Sequence, residues 1–337
     1  VKAQAQPNPQ TDLPFPFNLR FSMHFWNMMF ANDRMWQNDG SKSAEWNRGN
    51  YLVNGLAHCN TCHTPRGFMM QEQQERPLAG GPLGSWYAPN ITPDAISGIG
   101  GWSDDELVQY LKTGRAPDKN QAAGGMAEAV EHGLQYLPDS DLQAIATYLK
   151  GTAPIRDQGD TLPAFSYGAP YDVENSIRGR NPNNANHSLD NGAALFSGNC
   201  ASCHQPDGAG SSNQDYPSLF HNTATGLRNP NNLIAAILFG VQRDTADHQV
   251  LMPGFSSPSY VDKLNDQQVA DISNFVLTHY GNSEVTVTAG DVAWVRKGGH
   301  PPLLARLQPL MLPSIIGAII VLLAGIALWR VMRLKRG

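Results

Sequence analysis

Two segments carry the clearest apolar period in the chain. Residues 139–150 place Leu142, Ile145, Ala146 and Leu149 on one helical face and stop at Gly151. From Asn265 onward, Val269, Ile272 and Val276 repeat the pattern up to Gly281, with Gln268 three residues after Asn265 as in a capping box. Each of these helices closes a unit that a second helix opens. The spacing predicts the first opening helix over residues 43–56, containing Gly49 and Tyr51, and the second around Gly192 and Phe196. Shorter helices fill the interiors. Ser103 with Glu106 caps a run through Leu107, Val108 and Leu111 to Gly114, and Pro230 opens Leu233 to Phe239 before Gly240.

The ends of the chain read differently. Residues 307–329 hold no charged side chain, and Arg330, Arg333, Lys335 and Arg336 follow at once. As a helix this stretch is about 34 Å long, enough for a hydrocarbon core of about 30 Å. The basic tail then places the C-terminus in the cytoplasm. Pro313 leaves open a shorter helix lying in the membrane interface. Residues 17–36 are rich in Phe, Met and Trp, which predicts an apolar helix packed on the first unit, with a partner or a membrane surface as other readings. Residues 1–16 and 152–187 are Pro-, Gly- and Asn-rich and read as linkers.

With 337 residues the chain has room for two or three domains, and its net charge of -5 makes nucleic acid an unfitting partner. The chemistry lies in the cysteines. All 4 fall in two runs, Cys59-Asn60-Thr61-Cys62-His63 and Cys200-Ala201-Ser202-Cys203-His204. Cys-x-x-Cys-His is the pattern of covalent haem c attachment: two thiols reach the vinyl groups of one porphyrin, and the adjacent imidazole ligates the iron. A zinc tetrathiolate lacks further cysteines, and no βαβ pattern supports a thioredoxin-like pair.

A thioether on the other face would give a six-coordinate, electron-carrying iron. Met252, before Pro253 and Gly254 in a rigid loop, is the single methionine between Cys203 and the apolar C-terminal stretch. For the first haem, Met69 and Met70 follow His63 too closely to reach the opposite face, so Met126, after Gly124 and Gly125, is favoured. Asn90 and Thr92 suit either a haem propionate or an ordinary turn. The predicted fold is therefore mostly α: two tandem class I cytochrome c domains plus a C-terminal membrane-anchoring helix. Its segments are a linker and apolar helix at 1–43, haem domains at 44–151 and 188–282 joined by 152–187, a juxtamembrane stretch at 283–306, the span at 307–329 and the tail at 330–337.

Several motifs together carry a family resemblance: LPFPF at 13–17, EWNRG at 45–49, the run 58–66, APNIT at 88–92, GIGGWS at 98–103, MAEAV at 126–130, LQYL at 134–137 and Met252-Pro253. On these the chain resembles the membrane-bound cytochrome c subunits of periplasmic sugar and alcohol dehydrogenases of acetic acid bacteria, the fructose dehydrogenase type above all. The resemblance implies a large catalytic partner carrying FAD or PQQ, in some complexes a small third subunit, and ubiquinone as acceptor. It also implies an inner-membrane protein with periplasmic haem domains and no substrate chemistry of its own. Two features depart from the family. Its members carry three haems and this chain has two attachment runs, as though the first haem domain were missing, and Gly125 stands where they tend to have proline. Other readings are a diheme subunit donating to a terminal oxidase and a diheme peroxidase.

Overall fold

The computed structural model describes residues 12–32, 35–177 and 191–334. It is mostly helical. In chain order the helices are α1 (Ser22–Phe30), α2 (Ala44–Tyr51), α3 (Asn60–His63), α4 (Asp104–Thr113), α5 (Gly124–His132), α6 (Asp139–Lys150), α7 (Glu174–Ile177), α8 (Gly192–Asn199), α9 (Ala201–His204), α10 (Thr223–Gly226), α11 (Asn231–Phe239), α12 (Asp266–Tyr280), α13 (Ala289–Arg296) and α14 (Leu303–Leu334). The strands pair as antiparallel hairpins: β1 (Gly81–Leu83) with β2 (Trp86–Ala88), β3 (Arg115–Ala116) with β4 (Asn120–Gln121), and β5 (Val241–Thr245) with β6 (His248–Met252).

The chain divides into two compact units. The larger spans residues 37–66 and 72–300 and holds two hydrophobic cores. In the first, α2 crosses α6, and Leu52, Val53, Leu142 and Ile145 are fully buried there. In the second, α8 crosses α12 and buries Leu195, Phe196, Ile272 and Leu277. Glycine makes both crossings possible. A Cβ on Gly49 would overlap the Ala144 carbonyl, and one on Gly192 would lie 2.5 Å from the Asp271 carbonyl oxygen.

The capping signals are realised. Ser103 and Glu106 form the reciprocal box of α4, which Gly114 ends at φ 72°, and Asn265 with Gln268 does the same for α12. The opening helix is split: α2 ends at Tyr51 and a π-turn continues over Leu52–Leu56.

Two expected connectors carry structure of their own. In the segment anticipated as a linker (its residues 178–187 lie outside the described ones), Phe165 packs against the first core while the Ala164 carbonyl abuts Gly226. The expected juxtamembrane stretch contains α13, whose Val292 and Val295 are buried in the second core. Their apolar side chains are too sparse to show a period, yet each has a surface to fill.

The smaller unit comprises residues 1–36, 67–71 and 301–337. Its helix α1 is shorter than anticipated and buries none of its residues. Within this unit Trp26 Nε1 donates to the Met69 carbonyl at 2.8 Å, and Gln308 Nε2 to the Phe15 carbonyl at 2.6 Å. Helix α14 runs for 32 residues through both Pro309 and Pro313 and is long and apolar enough to cross a membrane.

Candidate functional site

The first Cys-x-x-Cys-His run is set by the π-turn. Its wider loop lets the Cys59 amide donate to the Val53 carbonyl at 2.9 Å, and Cys59 then leads into α3, which carries Cys62 and ends at His63. Such π-turns are rare and recur at functional sites. The second run is built on the same plan, with Cys200 leading into α9 and His204 closing it. None of the four cysteines is paired in a disulfide.

Both histidines are oriented alike. His63 Nδ1 lies 2.7 Å from the Pro89 carbonyl oxygen, and His204 Nδ1 lies 2.9 Å from that of Pro217. A carbonyl oxygen only accepts, so Nδ1 holds the proton and Nε2 keeps its lone pair for a metal. Burial holds both imidazoles below the usual pKa, against the pull of those carbonyls. Burial thus favours the neutral imidazole at both positions.

Cys59 and Cys200 pack against the first and second cores. Burial pushes the Cys59 thiol up to about 11 and the Cys200 thiol up to about 12. A thioether carries no charge at all, so it suits these buried positions. Among the described residues no cluster of His, Cys, Asp and Glu could hold a separate metal ion.

The structure brings Met126 and Cys59 onto one core, Met126 lying in the first turn of α5. Gly124 begins that helix at φ 52°, and its Cα faces Trp86 so closely that a Cβ would lie 2.5 Å from the indole. Only glycine fits both demands. Met252 is not in a loop, as the sequence suggested, but is the last residue of β6, paired with Val241. Met69 falls in the smaller unit. Asn90 spends its side chain locally: Oδ1 accepts from Thr92 N and Oγ1 at 2.8 and 2.7 Å, and Nδ2 donates to the Ile155 carbonyl. These bonds tie the Asn90–Thr92 turn to Ile155.

Sequence reasoning missed the contacts joining the two cores. Asn232 exchanges two 2.9 Å hydrogen bonds with the Tyr87 backbone, the Thr223 amide and hydroxyl both donate to the Lys119 carbonyl, and Arg115 pairs with Asp215 at 3.2 Å. Arg243 reaches from β5 to the Ala122 carbonyl. These contacts span more than ninety positions of sequence, and no local pattern announces them.

A crossed helix pair around a Cys-x-x-Cys-His run with a positioned imidazole defines a c-type cytochrome, and residues 189–279 match the cytochrome c family model. The chain is 47% identical to the fructose dehydrogenase cytochrome subunit of Gluconobacter japonicus over all of its own length and 70% of that protein's. It is 36% identical to the cytochrome c subunit of the quinone alcohol dehydrogenase of Gluconacetobacter polyoxogenes, over 89% of this chain and 63% of that one. The gluconate 2-dehydrogenase cytochrome c subunit of Pantoea cypripedii matches at 36% over 88% of this chain and 66% of its own. The chain belongs to this family of dehydrogenase cytochrome c subunits, and covalent haem c is the cofactor of its cytochrome c domain.

Proposed function

We propose that this chain is the electron-transfer subunit of a periplasmic dehydrogenase complex, FAD-dependent and acting on a sugar or polyol. It takes electrons from the catalytic subunit and delivers them through c-type haems to membrane ubiquinone. The observation that carries this reading is the pair of identical imidazole settings, His63 on Pro89 and His204 on Pro217. Two such settings in one chain whose relatives are dehydrogenase cytochrome subunits fit a relay.

In this reading residues 44–151 form a second cytochrome c domain. Cys59 and Cys62 hold one haem with His63 and Met126 as axial ligands. Cys200 and Cys203 hold the other with His204 and Met252. Bound haem c supplies a one-electron couple at each site. The chain's residues do the rest: the carbonyls of Pro89 and Pro217 fix each imidazole's rotation and tautomer, and the thioethers of Met126 and Met252 would favour the reduced state of a haem they helped to hold. Helix α14 anchors the chain, with the haem domains in the periplasm and the tail in the cytoplasm.

The test is to purify the complex from detergent-solubilised membranes, identify the large subunit and its cofactor, and add fructose, gluconate, sorbitol or ethanol in turn. Reduction of two haems per chain by one of these, followed by reoxidation with a soluble ubiquinone, is the expected result. A haem–copper oxidase as the co-purifying partner would overturn the assignment.

A further inference from the structure

Arg243 is among the largest fully buried side chains of the protein, only 1% exposed, although it carries a full positive charge. It projects from β5 across the junction of the two cores. Its Nη1 donates to the Ala122 carbonyl at 2.5 Å and its Nη2 to Gln121 Oε1 at 3.2 Å. Both acceptors are neutral; Glu131 and Arg115 act on the guanidinium through space with opposite signs, and among the described residues no carboxylate forms an ion pair with it. Gly114 makes room for it: a Cβ there would lie 2.5 Å from Arg243 Nε. A buried cation held by neutral acceptors, with no carboxylate in contact, is costly, and a protein that builds a cradle for one gains something from it.

Its position says what. Ala122 lies two residues before α5, which carries Met126, and α5 packs against β5. On the other side, the register pairs Val241 with Met252 and Arg243 with Val250, so Arg243 shares a face of the hairpin with Met252. One side chain thus ties the strand bearing one axial methionine to the segment bearing the other. Burial also pushes the guanidinium's pKa down, as a charge in a poorly solvated place requires.

The geometry points to Arg243 as a positioning residue that fixes the Met126 segment and, as a buried cation, raises the reduction potential of the first haem above what its ligands alone would give. This rests on the haem ligation proposed above. Reduction removes one positive charge from the iron, so a nearby fixed cation in a low-dielectric setting favours the reduced form. The electron's preference between the two haems would then depend on this residue.

The experiment is a spectroelectrochemical titration of the purified full complex, with Met126→His and Met252→His variants assigning each wave. Arg243→Met removes the charge and keeps the bulk. Gln121→Glu neutralises it in place and serves if the first variant does not fold. Both should lower the first haem's potential so that its electron occupancy relative to the second haem falls at least threefold, about 28 mV at about 59 mV per tenfold for one electron. Arg243→Lys, which keeps the charge, should move it less. First-haem potentials unchanged in Arg243→Met and Gln121→Glu, or equal shifts of both haems, overturn the proposal. A wild-type spectrum without methionine ligation would overturn the haem assignment beneath it, and the two failures are told apart by that spectrum.

Discussion

Gly49 lies so close to the Ala144 carbonyl that an added Cβ would overlap it, with Tyr148 Cβ only 2.7 Å away. The contact sets the approach of α2 to α6, and on that approach rests the direction from which the π-turn delivers Cys59. Gly49→Ala is expected to push the two helices apart and cost about 1–3 kcal/mol, the usual penalty of overpacking. Thermal unfolding of the haem-loaded protein, followed at the absorbance of each haem, should show the first site losing stability. An unchanged melting temperature would mean that the crossing tolerates a methyl group.

Asp94 gives the first core an acid-sensitive joint. Burial alone would raise its pKa, but hydrogen bonds from Arg156 Nε at 2.6 Å and from the Ser97 and Ile96 amides outweigh that and hold it below the ordinary carboxylate value. A carboxylate with a lowered folded pKa stabilises the fold above its unfolded pKa of about 3.9, and the contribution fades as pH falls through the folded value. Asp94→Asn should cost about 1–3 kcal/mol at neutral pH, the range for hydrogen bonds to a charged group. The melting temperatures of the variant and the wild type should then converge between about pH 4 and pH 2. Parallel curves over that window would show that Asp94 carries no linkage.

What the sequence revealed was what is encoded locally. The period of Leu142, Ile145 and Leu149 and the reciprocal pair Ser103 and Glu106 each lie within a few residues, and the helices appear where these signals place them. The two Cys-x-x-Cys-His runs and the glycines at the crossings were equally plain. What stayed hidden depends on partners distant in sequence. The π-turn at Leu52–Leu56 has the same composition as an α-helix, and β5 reads as polar because Arg243 at its centre is satisfied only by Gln121 and Ala122. Helix α13 was missed although Thr288 and Asp291 form a capping box, a signal that was there to be used.

Helix α14 should be what holds the chain in the membrane, since its 32 residues have a mean hydropathy of 2.6 in the most apolar window and none of its side chains is buried. Ending the chain before Leu303 is expected to release it to the aqueous phase after alkaline washing of membranes, with both haems in place. The cores contain no residue beyond Val295, so their spectra should be unaltered. Retention of the truncated protein in lipid would shift the anchoring role to another segment, exposed Phe25, Met28 and Met29 of α1 being the nearest in character.

On the proposed ligation, Met126 and Met252 each set the potential of one haem. Replacing Met126 or Met252 by Ala removes one thioether and opens one iron, and each change should lower one midpoint potential and leave the other nearly in place. The shift should be on the order of 0.1 V, inside the roughly 0.8 V that axial ligands span. Carbon monoxide added to the reduced wild type should produce no spectral change, while each variant should bind one equivalent. Met69→Ala and Met70→Ala serve as controls, and neither should bind it, because Met126 shares the first core with Cys59 whereas Met69 and Met70 belong to the smaller unit. Carbon monoxide binding to Met69→Ala but not to Met126→Ala would move the ligand to the earlier position and require those two segments to meet at the first haem.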